Sequence, residues 1–294
     1  MKYIYCCFVL SIGVLMSCGG GKKVIQATSQ NKIPSAGVDT IPQNKQALSA
    51  KDSILKDSII TVPPKVDIVK DEPVVPVENF NHQPWDKLLK VHVSADGKVN
   101  YKGFKQDTET LRLYLKELAE NIPNEDWSKP DELAYWLNVY NAFTIKLIID
   151  HYPLKSIKEI ENLKKPWDHR FIKIGKKWYT LNDIEHKILR KMNDPRIHFG
   201  INCASVSCPP IFNKAFTAQN VDKELERLTF DFINDPDKNS ITPNQIRISK
   251  IFSWFASDFK TKGTIIDFLN TYSKIKIERT AKKSFKKYDW NLNE

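Results

Sequence analysis

Past the first eighteen residues, aromatic side chains are confined to one part of this chain, and that limits where a core can form. Residues 19–78 contain no Phe, Trp or Tyr, whereas all seven tryptophans lie between Trp85 and Trp290. The aromatic-free stretch is punctuated by Pro34, Pro42, Pro63, Pro64, Pro73 and Pro76, and its eight lysines nearly balance seven acidic residues. Such a segment cannot bury enough apolar surface to offset the entropy of ordering it. It reads as a disordered tether, reaching on the order of 40 Å as a random chain. The remainder of the chain, residues 79–294, is long enough for a single domain with a sizeable core.

Ahead of the tether, Lys2 precedes an apolar run over 3–16, then Leu15-Met16-Ser17-Cys18 and Gly19-Gly20-Gly21. A positive start, a short apolar stretch and small residues before a cysteine describe a secretory signal, 1–18. The run is too short for a comfortable permanent span. Leu-x-Ser-Cys also resembles the lipobox of bacterial lipoproteins, whose cysteine is lipidated and becomes the first residue. The resemblance implies acyl chains on Cys18 that hold the protein to a membrane surface. It places the chain in the cell envelope, on the periplasmic or surface face of the outer membrane, since Gly19 resembles the residue after the cysteine in lipoproteins sent there.

With 41% hydrophobic and 27% charged residues, wholesale disorder and a multi-span membrane protein are excluded. The net charge of +10 is spread along the chain, so no nucleic-acid partner is expected. The run Lys274–Lys287 reads as a solvated edge strand and tail. No phosphate-binding glycine loop or nucleotide fingerprint occurs, and no cofactor is expected.

The apolar periodicity predicts helices over 81–91, 108–121 and 221–233, and another at 264–269. Ser128-Lys129-Pro130-Asp131 is a helix start, and the helix it opens over 132–150 is apolar nearly all round, so it is buried. Asn138 and Asn141 interrupt it on one face. They either bond neighbouring backbone or line a pocket and orient a catalytic group. Residues 171–179 read as a β-hairpin, and Thr180–Asp183 as a capping box opening a helix over 181–192 that carries Glu185 and His186. Arg196–Asn202 alternates as a strand, with Ile197, Phe199 and Ile201 on one side and Arg196, His198 and Asn202 on the other. A further strand is expected at 245–249. Helices and short strands without βαβ alternation favour an α+β fold with a buried central helix and a small sheet.

Trp136-Leu137-Asn138-Val139-Tyr140-Asn141-Ala142, Ile184-Glu185-His186, Arg196-Ile197-His198-Phe199, Asn202-Cys203-Ala204-Ser205 and Ser207-Cys208-Pro209-Pro210 together resemble the DUF547 family. The likeness extends to Lys250–Phe255 and Tyr288-Asp289-Trp290-Asn291. This family is defined by sequence and carries no settled activity. The resemblance implies that these polar positions belong to one shared site or scaffold.

The residues themselves supply the ingredients of a thiol hydrolase or acyltransferase of the papain or transglutaminase kind, acting on peptide or amide bonds. Cys203 is the candidate nucleophile and His198 or His186 the candidate base. Glu185, Asn138 or Asn141 would fix the tautomer of that histidine. Ser205 and Arg196 are further candidate binding residues. Three other readings of the cysteines stay open: a Cys203–Cys208 disulfide, natural in an exported protein, an inert buried thiol, or a metal ligand. Cys-x4-Cys with scattered His186 and His198 is a poor zinc pattern, so no metal site is expected. His82, His92, His151 and His169 read as surface or packing residues. As a binding module, the chain would instead hold an envelope peptide, glycan or protein.

Overall fold

Residues 78–160 and 165–294 are described by a computed structural model. The expected signal segment, Cys18 and the expected tether up to residue 77 lie outside the described residues. Three helices come first: α1 (Gln83–His92), α2 (Tyr101–Gln106) and α3 (Thr108–Glu120). Their apolar residues, among them Trp85, Phe104, Tyr114 and Leu118, are buried around the long helix α4 (Lys129–His151). Ser128 caps α4 by accepting from the Asp131 amide at 3.2 Å, with proline in the first turn. From Ala134 to Ile149 nearly every residue of α4 is buried, so this helix has no polar face to give to water.

Next comes the hairpin of β1 (Ile172–Ile174) and β2 (Lys177–Tyr179), antiparallel with Ile172 opposite Tyr179. The Thr180–Asp183 capping box then opens a short helix, α5 (Leu181–Asp183). The expected regular helix over 181–192 does not continue from it. Residues Ile184–Ile188 form a π-helical turn and Leu189–Met192 a 3-10 turn. The wider turn occurs where Glu185 and His186 lie, and such bulges often mark functional sites.

The strand expected at 196–202 is replaced by a short helix, α6 (Ile197–Gly200). The Asp194 carboxylate accepts from the Arg196 amide at 2.9 Å, and the Asp194 carbonyl accepts from Ile197. Asp-Pro therefore starts a helical turn. Apolar alternation misleads because Ile197, His198, Phe199 and Gly200 are all buried, so the segment has no solvent face to alternate against. A Cβ on Gly200 would lie 2.7 Å from the Leu225 side chain and 3.2 Å from Leu137, so glycine lets these side chains pack closely on the turn.

Beyond α6 lie α7 (Val221–Asn234), α8 (Ile251–Trp254) and α9 (Ile265–Tyr272), and a three-stranded sheet. That sheet has the order β3 (Ser240–Ile241), β4 (Gln245–Ile248), β5 (Lys282–Phe285), antiparallel between the first two and parallel between β4 and β5. Helices and two small sheets make the architecture α+β. The lysines of β5 are exposed at the sheet edge. The segment after it is bound to the body of the protein: Val206 donates to Asn291 O, Leu292 to Lys155 O and Val99 to Asn293 O, each at 2.8 Å. Among the described residues no helix is long and apolar enough to cross a membrane.

The amides of α4 are used as clamps. Asn138 donates to Phe216 O at 2.8 Å and accepts from Phe216 N at 3.1 Å. Replacing Asn138 by Ala leaves both buried groups unpartnered, and urea unfolding of N138A is expected to show a loss of about 2–4 kcal/mol.

Candidate functional site

The second α4 amide fixes the approach to the cysteine loop. Asn141 Nδ2 donates to Gly200 O at 2.8 Å, and its Oδ1 accepts from Asn202 N at 2.9 Å. Asn202 in turn accepts from Ala204 N at 2.8 Å and donates to Pro209 O at 2.7 Å, closing the loop on itself. Inside it, Ala204 has φ of 57°, left-handed backbone that costs a non-glycine residue roughly 1–2 kcal/mol. The strain falls between Cys203 and Ser205, and the surrounding bonds hold it in place.

No disulfide joins Cys203 and Cys208 in this structure. The Cys203 amide donates to Cys208 Sγ at 3.0 Å. Cys203 Sγ lies 3.2 Å from Ser205 Oγ and 3.2 Å from Tyr288 OH, while Ser205 donates to Tyr288 OH at 3.1 Å. The tail residue Tyr288 reaches this position because its neighbours are tied to the loop: Asp289 N donates to Ser207 Oγ at 2.8 Å and Ser207 N to Asp289 O at 3.2 Å. Bonding to the Cys208 thiol does most to lower Cys203; burial opposes this, the Ser205 and Tyr288 hydroxyls and the Cys203 amide assist, and the thiol falls to about 7. Burial pushes Cys208 and Tyr288 up, so both keep their protons and remain donors toward a Cys203 thiolate.

A cavity of about 170 Å³ brings Cys203 and Cys208 together with Tyr140, Glu185, His186 and His198. Trp167, Trp254, Phe255, Tyr288 and Trp290 supply most of its aromatic lining. His198 Nε2 lies 2.8 Å from Asp258 Oδ2, and its ring stacks on Phe255 with centroids 4.1 Å apart. Arg190 grips the same carboxylate with two bonds of 2.6 Å. Burial opposes ionisation of Asp258, but the bonds from His198 and Arg190 outweigh it and hold the carboxyl below its usual range. Burial lowers His198 despite Asp258, and burial together with Arg190 lowers His186, so both imidazoles are neutral near pH 7.

The hydrogen-bonding partners then assign the tautomers. A carboxylate only accepts, so His198 Nε2 carries the proton and Nδ1 is left as an acceptor. A guanidinium only donates, and Arg190 Nη1 lies 3.1 Å from His186 Nδ1. His186 therefore carries its proton on Nε2. Glu185 does not orient either histidine. Its Oε2 accepts from Tyr140 OH at 3.3 Å, and burial followed by repulsion from Cys203 pushes it up to about 7.

The tautomer-fixing group is thus Asp258, sixty residues from its histidine, and not Glu185, Asn138 or Asn141. Both asparagines bond backbone and line no part of the cavity. Arg196 also lies elsewhere, bound by Asp194, Asp222 and Glu226 beside a separate polar cleft. Asp258 and Trp167 carry no sequence signal of their own, whereas Tyr140, Trp254, Tyr288 and Trp290 all lie in stretches that carry the family likeness. Among the described residues no group of three or more His, Cys, Asp and Glu side chains is arranged to hold a metal ion.

Residues 124–233 match the family described as protein of unknown function, DUF547. The matched segment runs from just before α4 to α7 and includes Glu185, His186, His198, Cys203 and Cys208; Asp258 and Tyr288 lie beyond it. No curated protein and no solved structure matches the chain.

The rate of Cys203 alkylation by iodoacetamide should rise with pH through an inflection near 7, below the ~8.5 of an ordinary thiol. Tyr288→Phe removes a donor to the thiolate and should move the inflection up. Glu185→Gln removes a like charge and should move it down. Stopped-flow or mass-resolved labelling from pH 5 to 9 measures all three.

Proposed function

We propose that this chain is a cysteine-nucleophile hydrolase or acyltransferase acting on peptide or amide bonds. One observation carries the reading: Cys203, with its sulfur against two hydroxyls, shares a cavity with a histidine held by a part-buried carboxylate. No hydrogen bond joins the sulfur to either imidazole in the resting geometry, and catalytic contacts often tighten only with substrate bound.

In this mechanism His198 Nδ1 takes the thiol proton as Cys203 Sγ adds to the carbonyl carbon. The carbonyl π pair moves onto oxygen, where the His186 Nε2–H is a donor suited to the developing charge. Collapse re-forms the carbonyl and breaks the bond to the leaving amine, which takes the proton from His198. Water then adds to the thioester, giving its proton to His198 Nδ1, and the acid departs as sulfur leaves and is reprotonated. An acceptor amine in place of water makes the same sequence a transfer. Asp258 holds the tautomer and steadies the imidazolium, a positioning role.

Incubation with p-nitrophenyl acetate is expected to leave an acetyl group on Cys203, read by intact mass, with a burst of p-nitrophenol. Cys203→Ala should show neither. Asp258→Asn should lower kcat by on the order of 10²-fold or more and displace its pH profile, with KM little changed. Failure of any ester or amide to acylate Cys203 would overturn the reading in favour of the second one, a noncatalytic module for a peptide, glycan or protein, which the aromatic wall favours.

The enzyme would work in the cell envelope, with residues 79–294 carried on the 19–78 tether and anchored through lipid on Cys18. Palmitate labelling of cells expressing the full chain is expected to mark the protein, and Cys18→Ser to abolish both the label and its membrane fraction.

A further inference from the structure

The size, polarity and charge of the cavity limit what it can receive. Its volume of about 170 Å³ is close to that of a protein cavity known to hold benzene, roughly 150 Å³. Much of the lining beside the catalytic groups is aromatic. Trp254 and Trp290 stack with their planes inclined by 29° and centroids 5.7 Å apart, Tyr288 packs 4.5 Å from Trp290 and 4.7 Å from Trp254, and Trp167 meets Trp290 edge-on at 5.4 Å. Trp254 remains 46% exposed and leaves a rim that a ligand can cover.

No Lys or Arg lines this cavity. The nearest guanidinium, Arg190, is engaged by Asp258, and both histidines are neutral. A carboxylate-bearing group would thus face the Cys203 sulfur and the Glu185 carboxyl with no counter-charge among the lining residues, which burial makes costly. A cation is attracted by aromatic faces in general. Here, however, Lys158 Nζ already sits 3.8 Å from the Trp290 ring centroid and occupies that ring face.

We infer that the cavity is an acyl pocket selective for uncharged, apolar groups about the size of a phenyl ring, with the Trp167–Trp290–Trp254–Tyr288 wall as its specificity surface. It rests on the acyl-transfer reading only in treating the bound group as an acyl group. Occupancy itself is a binding property, and the test reads it without turnover.

The experiment measures protection of Cys203 in the full-length protein from iodoacetamide by unreactive amides, with calorimetry of the same amides as a second readout. Phenylacetamide is expected to protect with a dissociation constant at least tenfold below that of acetamide, as burial of an apolar ring requires. Succinamate and trimethylammonioacetamide should protect no better than acetamide. Trp254→Ala should narrow the gap between phenylacetamide and acetamide. Equal protection by phenylacetamide and acetamide, or stronger protection by either charged amide, would overturn the inference. Selective protection without any Cys203 thioester from p-nitrophenyl phenylacetate would leave the pocket standing and remove the hydrolase reading. A thioester formed equally fast from acetyl and phenylacetyl esters, after correction for spontaneous hydrolysis, would do the reverse.

Discussion

Asn141 lies inside a helix that has no solvated face, and its amide is satisfied by the backbone on both sides of Ile201. It accepts from Asn202 and donates to Gly200. Those bonds fix where α6 ends and where the chain turns toward Cys203. The left-handed Ala204, the Asn202 bond to Pro209 and the contact of the Cys203 amide with Cys208 all depend on that start. A buried amide is costly unless both its ends are paired. The requirement to pair it is what makes the loop conformation unique, and the geometry at the sulfur is inherited from α4.

The other half of the site comes from the far end of the chain. Parallel pairing of β5 with β4 brings the final segment back across the molecule. Its bonds to Ser207 and Val206 set Tyr288 against Cys203. Sulfur, hydroxyl and carboxyl then divide the protons among themselves. Cys208 and Tyr288 retain protons and donate, Glu185 is held near its titration point, and the one strong ion pair, Arg190 with Asp258, neutralises itself while orienting His198. The cavity stays low in net charge although ionisable groups line one whole side of it.

Local rules recovered local structure. The Ser128 cap, the Thr180 capping box, the hairpin and the buried central helix were legible because each depends on residues within one or two turns. The segment 196–202 failed because period-two alternation reports a strand only when one face meets solvent, and this segment is enclosed throughout. The π-turn at Ile184–Ile188 was invisible for a related reason: nothing in its composition separates it from an α-helix. At the site, the reactive residue types were visible but their partners were not. His198 meets Asp258 and Cys203 meets Tyr288 across 60 and 85 residues, and a single sequence carries no record of such contacts. Position alone left Asn138 and Asn141 open to either backbone bonding or a pocket role, and their bonds serve the backbone.

The state of the two sulfurs decides whether this arrangement is a reactive centre or a staple. The most direct measurement is the intact mass of protein purified without reductant, before and after brief exposure to an alkylating reagent at neutral pH. A free-thiol mass with a single rapid label, mapped to Cys203 while Cys208 stays unmodified, is the predicted result. A mass lowered by the two hydrogens of a disulfide, with no label until reductant is added, would contradict it and leave the cavity without its nucleophile.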